Sequence, residues 1–243
     1  MKSSNKINTL KSEALEAIKS GEYEKALNFY KSILDLQSTI HGENSHEFVE
    51  DLNNLGILYE KQYDLDSAMH IFERSLAISE KHFGPDHPEI AATLNNMAVL
   101  YEKYGRLEKA AELYHRSLMI RERTFGPDHP EVATTLNNMA ALYEKFGRLE
   151  EAEVLYHRSL MIREKTFGPD HPEVAISLNN VAGLMSKRGD LNNALELYAK
   201  SLKIMERVYG KNHKNTSIVR ENRNSIAHGS PNKKIQQTQQ TRR

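Results

Sequence analysis

Three copies of the heptad FGPDHPE place a histidine beside an aspartate, at residues 83–89, 125–131 and 167–173. Such pairs can bind a metal ion or transfer protons in catalysis. The ligands of one zinc ion must lie within roughly 4 Å of each other. The three histidines, however, are 42 residues apart and are predicted to be separated by packed helices whose axes lie about 8–10 Å apart. The chain also has no cysteine. We therefore expect no metal site, no cofactor and no catalytic residue.

Pairs of adjacent asparagines recur at the same interval, and a lysine follows each pair seven residues later. Asparagine in a helix costs about 0.6 kcal/mol relative to alanine, so a repeated pair suggests another role. Its amide group offers both a donor and an acceptor, which suits the main chain of a bound peptide. We predict that a partner peptide contacts Asn53, Asn54, Asn95, Asn96, Val99, Lys103, Asn137, Asn138, Lys145, Asn179, Asn180 and Lys187. Alternatively, one asparagine of each pair bonds to the neighbouring repeat, and the lysines are simply solvated.

Pairs of helices are predicted to carry these residues. Residues 89–130 and 131–172 are identical at 34 of 42 positions, so adjacent units must pack in almost the same way. In the first half of such a unit, Leu94, Met97, Ala98 and Tyr101 form one helical stripe. Gly105 then ends this helix, and a second helix follows. Neither helix can bury its apolar stripe alone, so neighbouring units must stack.

The heptad itself is interpreted as the connection between units. Gly84 can adopt the left-handed conformation that ends a helix, and Pro85 prevents the helix from continuing. Asp86 and Glu89 are predicted to form a capping box at the start of the next helix. Whether Asp86 or His87 is the N-cap residue is left open.

The helical pattern resembles the tetratricopeptide repeat. The residues that carry the resemblance are Leu94, Met97, Ala98, Tyr101, Gly105, Leu107, Ala110, Tyr114 and Ser117, with counterparts in the other units. Tyr63 departs from the pattern, since glycine is expected there. The 42-residue spacing, the LNN sequence and the G-x-D-H-P-E connection look like those of kinesin light chains and many bacterial repeat proteins. The resemblance implies an all-α, right-handed superhelical solenoid of helix-turn-helix repeats that holds a peptide in a concave groove lined by the first helices.

The array is predicted to occupy residues 1–228. It contains five repeats, at about 6–40, 47–82, 89–124, 131–166 and 173–208, and a capping helix at 213–228. Residues 229–243 are too polar to fold and are predicted to be a disordered basic tail. From Lys211 onward the chain has eight basic residues and one glutamate, so the preceding body is acidic.

Composition narrows the class of function. Lysine plus arginine and aspartate plus glutamate both number 33, which argues against a general nucleic-acid binder. No apolar stretch is long enough to span a membrane. We predict a cytoplasmic, non-enzymatic scaffold or adaptor that binds a protein partner and no small-molecule substrate, with a monomer favoured. The alternatives are a structural or self-associating spacer, and association with RNA through the basic C-terminus.

Overall fold

The computed structural model describes residues 2–42 and 44–227, which contain eleven α-helices, one short 3-10 helix and no strand. The chain divides into two compact units, residues 1–124 and 125–243, called here the N-terminal and C-terminal units. Within each unit, consecutive helices pack as pairs joined by tight turns. The all-α, helix-turn-helix prediction is therefore confirmed.

The N-terminal unit contains six helices. They are α1 (Lys2–Lys19), α2 (Tyr23–His41), α3 (Val49–Lys61), α4 (Leu65–Phe83), α5 (Pro88–Lys103) and α6 (Leu107–Phe125). The last residue of α6 is the first residue of the C-terminal unit. The 3-10 helix His46–Phe48 precedes α3. Helix α3 contacts α2, α4 and α5. Buried apolar clusters centre on Tyr30, Leu52 and Leu94, each at most 3% exposed. The core is thus distributed along the stack of helices.

The C-terminal unit contains five helices: α7 (Pro130–Lys145), α8 (Leu149–Phe167), α9 (Pro172–Lys187), α10 (Leu191–Tyr209) and α11 (Lys214–Ala227). Helix α9 contacts α8, α10 and α11. One buried apolar cluster runs from Ala140 to Ile226 and joins these helices. The predicted capping helix at 213–228 corresponds to α11, while residue 228 and the predicted tail at 229–243 lie outside the described residues.

Glycine ends the second helix of a pair in a conformation that other residues rarely adopt. Gly84 has φ 88° and ψ 165°, and Gly168 has φ 82° and ψ 159°. This region of positive φ and extended ψ is essentially restricted to glycine. The predicted positive φ is therefore present, although ψ is extended rather than left-handed helical.

Histidine is the N-cap residue, so the predicted capping box is wrong. The Nδ1 atom of His87 accepts a hydrogen bond from the main-chain N–H of Glu89 at 3.3 Å, and His129 and His171 cap α7 and α9 in the same way at 3.2 Å. Each imidazole also stacks on the aromatic ring four residues earlier, with centroids 4.5–4.6 Å apart. The ring stack thus fixes the orientation of the capping group.

The aspartate before each capping histidine faces a basic side chain of the second helix that follows. Asp86 pairs with Arg123 at 3.6 Å, Asp128 with Lys165 at 2.6 Å and Asp170 with Arg207 at 3.0 Å. Hydrogen bonding to Arg207 lowers the pKa of Asp170, and its positive charge adds to the effect. The aspartate therefore fastens the connection to a helix 37 residues later instead of capping the next one.

Candidate functional site

The predicted peptide-contacting residues lie on the first helix of each pair, on α3 and α5 in the N-terminal unit and on α7 and α9 in the C-terminal unit. We call the side of these helices that carries the asparagine pairs and the following lysine the first-helix face of each unit. Five of the asparagines are at most 6% exposed: Asn95, Asn96, Asn137, Asn179 and Asn180. The half-buried members are Asn53, Asn54, Asn138 and Val99, and the exposed members are Lys103, Lys145 and Lys187.

In the C-terminal unit the asparagines form a chain of amide hydrogen bonds. Asn222 donates to Asn179 at 3.0 Å, Asn179 donates to Asn180 at 3.2 Å, and Asn180 donates to Asn137 at 2.9 Å. The chain connects α11, α9 and α7, so it crosses from one helix pair to the next. These contacts match the alternative in which an asparagine bonds to its neighbouring repeat.

A buried arginine contacts the first helix α9 beside this network. Arg163, 1% exposed, donates to the hydroxyl oxygen of Ser177 at 2.6 Å, and its guanidinium lies 3.7 Å from the carboxylate of Glu173. Ser159, the other nearby hydroxyl, donates to the main-chain oxygen of Ala133 at 2.8 Å. In the same unit the amide oxygen of Asn137 accepts from Asn180.

The N-terminal unit uses its asparagines differently. The amide oxygen of Asn53 accepts from the hydroxyls of Thr93 at 3.0 Å and Ser75 at 3.3 Å. At the register of Arg163, α4 of this unit has Ser79, whose hydroxyl donates to its own helix at 2.9 Å, while α6 has the buried Arg121. The counterpart of Asn180 is Asn96, whose amide oxygen is buried and has no hydrogen-bond partner among the described residues. One acceptor on this face is therefore unsatisfied.

At the start of the chain, an ion pair replaces the asparagine–hydroxyl contact. Lys11 stands one period before Asn53, and its ammonium lies 2.9 Å from a carboxylate oxygen of Asp51, which stands one period before Thr93. The other oxygen of Asp51 accepts from Gln37 at 2.8 Å. Burial raises the pKa of the fully buried Asp51, and Lys11 opposes this rise. Losing Lys11 would therefore leave a buried carboxylate without its cation.

The lysines of the face pair with glutamates of the preceding repeat. The ammonium of Lys103 lies 2.7 Å from Glu60 in the N-terminal unit, and Lys187 pairs with Glu144 in the C-terminal unit. The same glutamate accepts from the hydroxyl of Tyr156 at 3.1 Å. The cations of these two pairs thus have carboxylate partners within the protein, and the face has mixed charge.

Sequence reasoning missed several of these contact residues. The 42-residue register alone could have identified Asn222, which occupies the place of Asn180, and Lys11, which occupies the place of Asn53. The role of Arg163 had no local signal, because its partners lie on the next helix. The lysine–glutamate pairs were not foreseen, because the two residues of each pair are 43 positions apart.

Residues 2–42 and 44–227 contain neither a cluster of metal-binding side chains nor a membrane-spanning helix. No group of three or more histidine, aspartate or glutamate side chains in that part could hold a metal ion. No helix of the described chain is both long and apolar enough to cross a membrane.

Comparison with known proteins gives concordant results for sequence and fold. A family model described as "Tetratricopeptide repeat" matches residues 14–81, 52–122, 89–160 and 131–205. The solved structure of BtubC (BKLC) from P. vanneervenii is 21% identical, with a TM-score of 0.68 over 86% of this chain and 83% of that one. Nearly identical TPR-like repeats from a Podosopora anserina protein assigned as a kinesin light chain are 20% identical, with a TM-score of 0.64 over 84% and 97% of the two chains. A search of curated proteins finds no match.

Proposed function

The chain belongs to the tetratricopeptide repeat family, whose members generally serve as protein-interaction scaffolds, and we propose that it binds an extended peptide segment of a partner protein on its first-helix face. The kinesin-light-chain-like repeat type and the 42-residue register support this proposal. The proposed contact residues are those predicted above, and their different degrees of burial divide them into two groups.

The buried asparagines of the C-terminal unit have a supporting role in this proposal. Asn137, Asn179 and Asn180 bond to one another and to Asn222, which fixes the spacing of α7, α9 and α11. Burying an amide without a partner costs roughly 1–3 kcal/mol, so these mutual bonds stabilise the helix stack. With this spacing fixed, the first helices would present equivalent groups to a bound peptide at regular intervals.

The direct peptide contact is assigned to the N-terminal unit. The observation that carries it is the amide oxygen of Asn96, a buried acceptor with no partner among the described residues. A main-chain N–H of a bound segment would satisfy this oxygen after a small movement of the side chain. Asn54 occupies the corresponding position one repeat earlier and is half-buried, and Val99 supplies apolar surface one turn beyond Asn96. Nearly every residue of an extended peptide can offer such an N–H group.

The lysine–glutamate pairs define the charge that the partner meets. Because Lys103 and Lys187 already have carboxylate partners, the face does not require an acidic peptide. The glutamate side chains of these pairs are only 18% and 5% exposed, so displacing the lysines would leave largely buried carboxylates without cations, and both pairs should persist when a partner binds. We therefore propose a partner segment of mixed or neutral charge that is held mainly through its main chain.

The test begins with peptides selected from a phage-displayed random library on the wild-type protein. The dissociation constant of a selected peptide is then measured by fluorescence anisotropy for wild type and for Asn96→Leu. We expect a loss of about 3- to 10-fold, the worth of one hydrogen bond. Leucine fills a similar volume, and circular dichroism checks that the variant is folded.

A matched variant on the opposite side of the repeat is the control. Met119 lies on α6, is 69% exposed and is outside the proposed site. Met119→Ser should leave the affinity unchanged. Failure to enrich any peptide, or a peptide that responds to Met119→Ser and not to Asn96→Leu, would contradict the proposal.

A further inference from the structure

Tyr63, in the turn between α3 and α4, has a backbone conformation that normally requires glycine. Its φ is 61°, and it is the one non-glycine residue with positive φ in the described part of the chain. The equivalent turns of the other four repeats use glycine, with φ between 71° and 87°: Gly21, Gly105, Gly147 and Gly189. A bulky side chain in this region is strained, because its Cβ approaches the following carbonyl group.

The turn does not need the tyrosine side chain. The main-chain N–H of Tyr63 donates to Glu60 at 3.1 Å, and that of Asp64 donates to Tyr59 at 3.0 Å. Gly105 and Arg106 make the same two bonds in the next repeat, at 3.0 and 2.8 Å. Glycine therefore builds an equivalent turn without strain, and the reason for tyrosine must lie in its ring.

The ring of Tyr63 projects into solvent at the edge of the first-helix face. The residue is 83% exposed, the highest value among the exposed large hydrophobic residues of the described chain. The ammonium of Lys103, a residue of the proposed peptide site, lies 5.5 Å from the ring centroid. The ring is thus adjacent to the peptide site and adds little to the core.

The charged groups around the ring already have partners. Lys103 pairs with Glu60 at 2.7 Å, Asp66 accepts from the hydroxyl of Tyr104, and Asp64 accepts from the main-chain N–H of Ser67 at 3.1 Å. What the turn offers to a ligand is therefore the apolar surface of the ring. Aromatic rings of this kind often anchor protein–peptide contacts.

We propose that Tyr63 is a specificity-determining contact of the N-terminal unit, and that its ring packs against an apolar side chain, aliphatic or aromatic, of the bound peptide. This inference rests on the proposed function, since it names the side-chain chemistry read at the same site. Tyrosine remains in a turn that suits glycine because the ring contributes to binding.

The first arm of the test measures stability and needs no ligand. Tyr63→Gly relieves the strained backbone, and we expect the melting temperature to rise by about 2–4 °C. The reciprocal change Gly147→Tyr, at the same turn position of the C-terminal unit with φ 75°, should lower the melting temperature by a similar amount. A lower melting temperature for Tyr63→Gly would make the ring a folding residue and would overturn the inference.

The second arm measures binding of a peptide selected on wild type. Tyr63→Gly and Tyr63→Asn, which tolerates positive φ, should each weaken it about tenfold, whereas Tyr63→Phe should retain the affinity. Replacing one apolar residue of the peptide by alanine should cost affinity with wild type and little with Tyr63→Gly.

The outcomes separate the two proposals. A peptide that is weakened by Asn96→Leu and unaffected by Tyr63→Gly overturns the role of Tyr63 and leaves the proposed function standing. The proposed function fails, and this inference with it, if no peptide is selected or if the selected peptide is insensitive to Asn96→Leu.

Discussion

The two units carry the same asparagine pairs and use them in different ways. In the C-terminal unit Asn180 bonds to both Asn137 and Asn179, and the chain of amides extends to Asn222. In the N-terminal unit the oxygen of Asn53 is taken by Thr93 and Ser75, and the oxygen of Asn96 has no partner among the described residues. The same asparagine pair therefore forms a chain of amide hydrogen bonds in the C-terminal unit, whereas in the N-terminal unit it leaves one buried amide oxygen without a partner among the described residues.

The two units also differ beside these asparagines, on the second helices and at the position of Thr93 and Ser177 on the first helices. Arg163 of α8 donates to Ser177, whereas Ser79 at the same register of α4 donates to its own helix. Thr93, which occupies the place of Ser177, donates to Asn53. The same repeated asparagine thus has different partners in the two units, and the predictions below test how far the units differ in stability.

The largest loss of stability is expected when the ion pair between Lys11 and Asp51 of the N-terminal unit is broken. Lys11→Met leaves Asp51 buried without its cation, and loss of one partner of such a pair costs about 3 kcal/mol. Urea denaturation followed by circular dichroism measures the change in the free energy of unfolding.

The control for this change rebuilds the contact of the next repeat. Lys11→Asn combined with Asp51→Thr recreates the pair that Asn53 and Thr93 form. The double variant should recover most of the stability lost in Lys11→Met. If Lys11→Met alone has no effect, the ion pair does not hold α1 to α3.

A second effect concerns the contact between α3 and α4. A Cβ atom at Gly56 would lie 2.6 Å from the ring of Phe72, so Gly56→Ala should cost about 2 kcal/mol through overpacking. Combining it with Phe72→Leu should remove part of the cost.

The corresponding position of the C-terminal unit holds the buried Ala182, where Ala182→Gly should cost about 1 kcal/mol for the loss of helix propensity. Thermal denaturation of the three variants compares the units, and an unchanged melting temperature for Gly56→Ala would refute the tight contact.

The smallest losses of stability are expected in the FGPDHPE connections between helix pairs. These losses should be the same in both units, because the histidine caps its helix in the same way in each. His87→Ala and His171→Ala each remove an N-cap acceptor and a ring stack, and we expect losses of about 1 kcal/mol. Asp170→Ala removes only an exposed ion pair with Arg207 and should have a smaller effect. Urea denaturation checks the order of the three variants. A larger loss for Asp170→Ala than for His171→Ala would restore the capping-box interpretation.

The helix pairs could be predicted because their determinants are local and repeated. Apolar residues at helical spacing, such as Leu94 and Tyr101, are buried in the structure, and the glycine after each second helix has positive φ. The N-cap could not be decided locally, since Asp86 and His87 both offer acceptors. Arg123, which pairs with Asp86, lies 37 residues later.

The candidate site was less predictable than the fold. The alternative that asparagines bond between repeats was stated, but the repeated sequence could not show that Asn180 bonds to Asn137 while Asn53 bonds to Thr93. Tyr63 was visible as a departure from the glycine pattern. Its strain and exposure become evident only once the turn geometry is known.

The central claim concerns the second asparagine of the pair. In the C-terminal unit Asn180 stabilises the fold through amide hydrogen bonds, whereas in the N-terminal unit the buried amide oxygen of Asn96 has no partner among the described residues. Its most direct test compares the melting temperatures of Asn180→Leu and Asn96→Leu by differential scanning calorimetry. Asn180→Leu breaks two amide hydrogen bonds and should lower the melting temperature by about 2–4 °C. Asn96→Leu removes an amide whose buried oxygen has no partner among the described residues, and it should leave the melting temperature unchanged or raise it. Equal losses in the two variants would contradict the account, because both asparagines would then be structural.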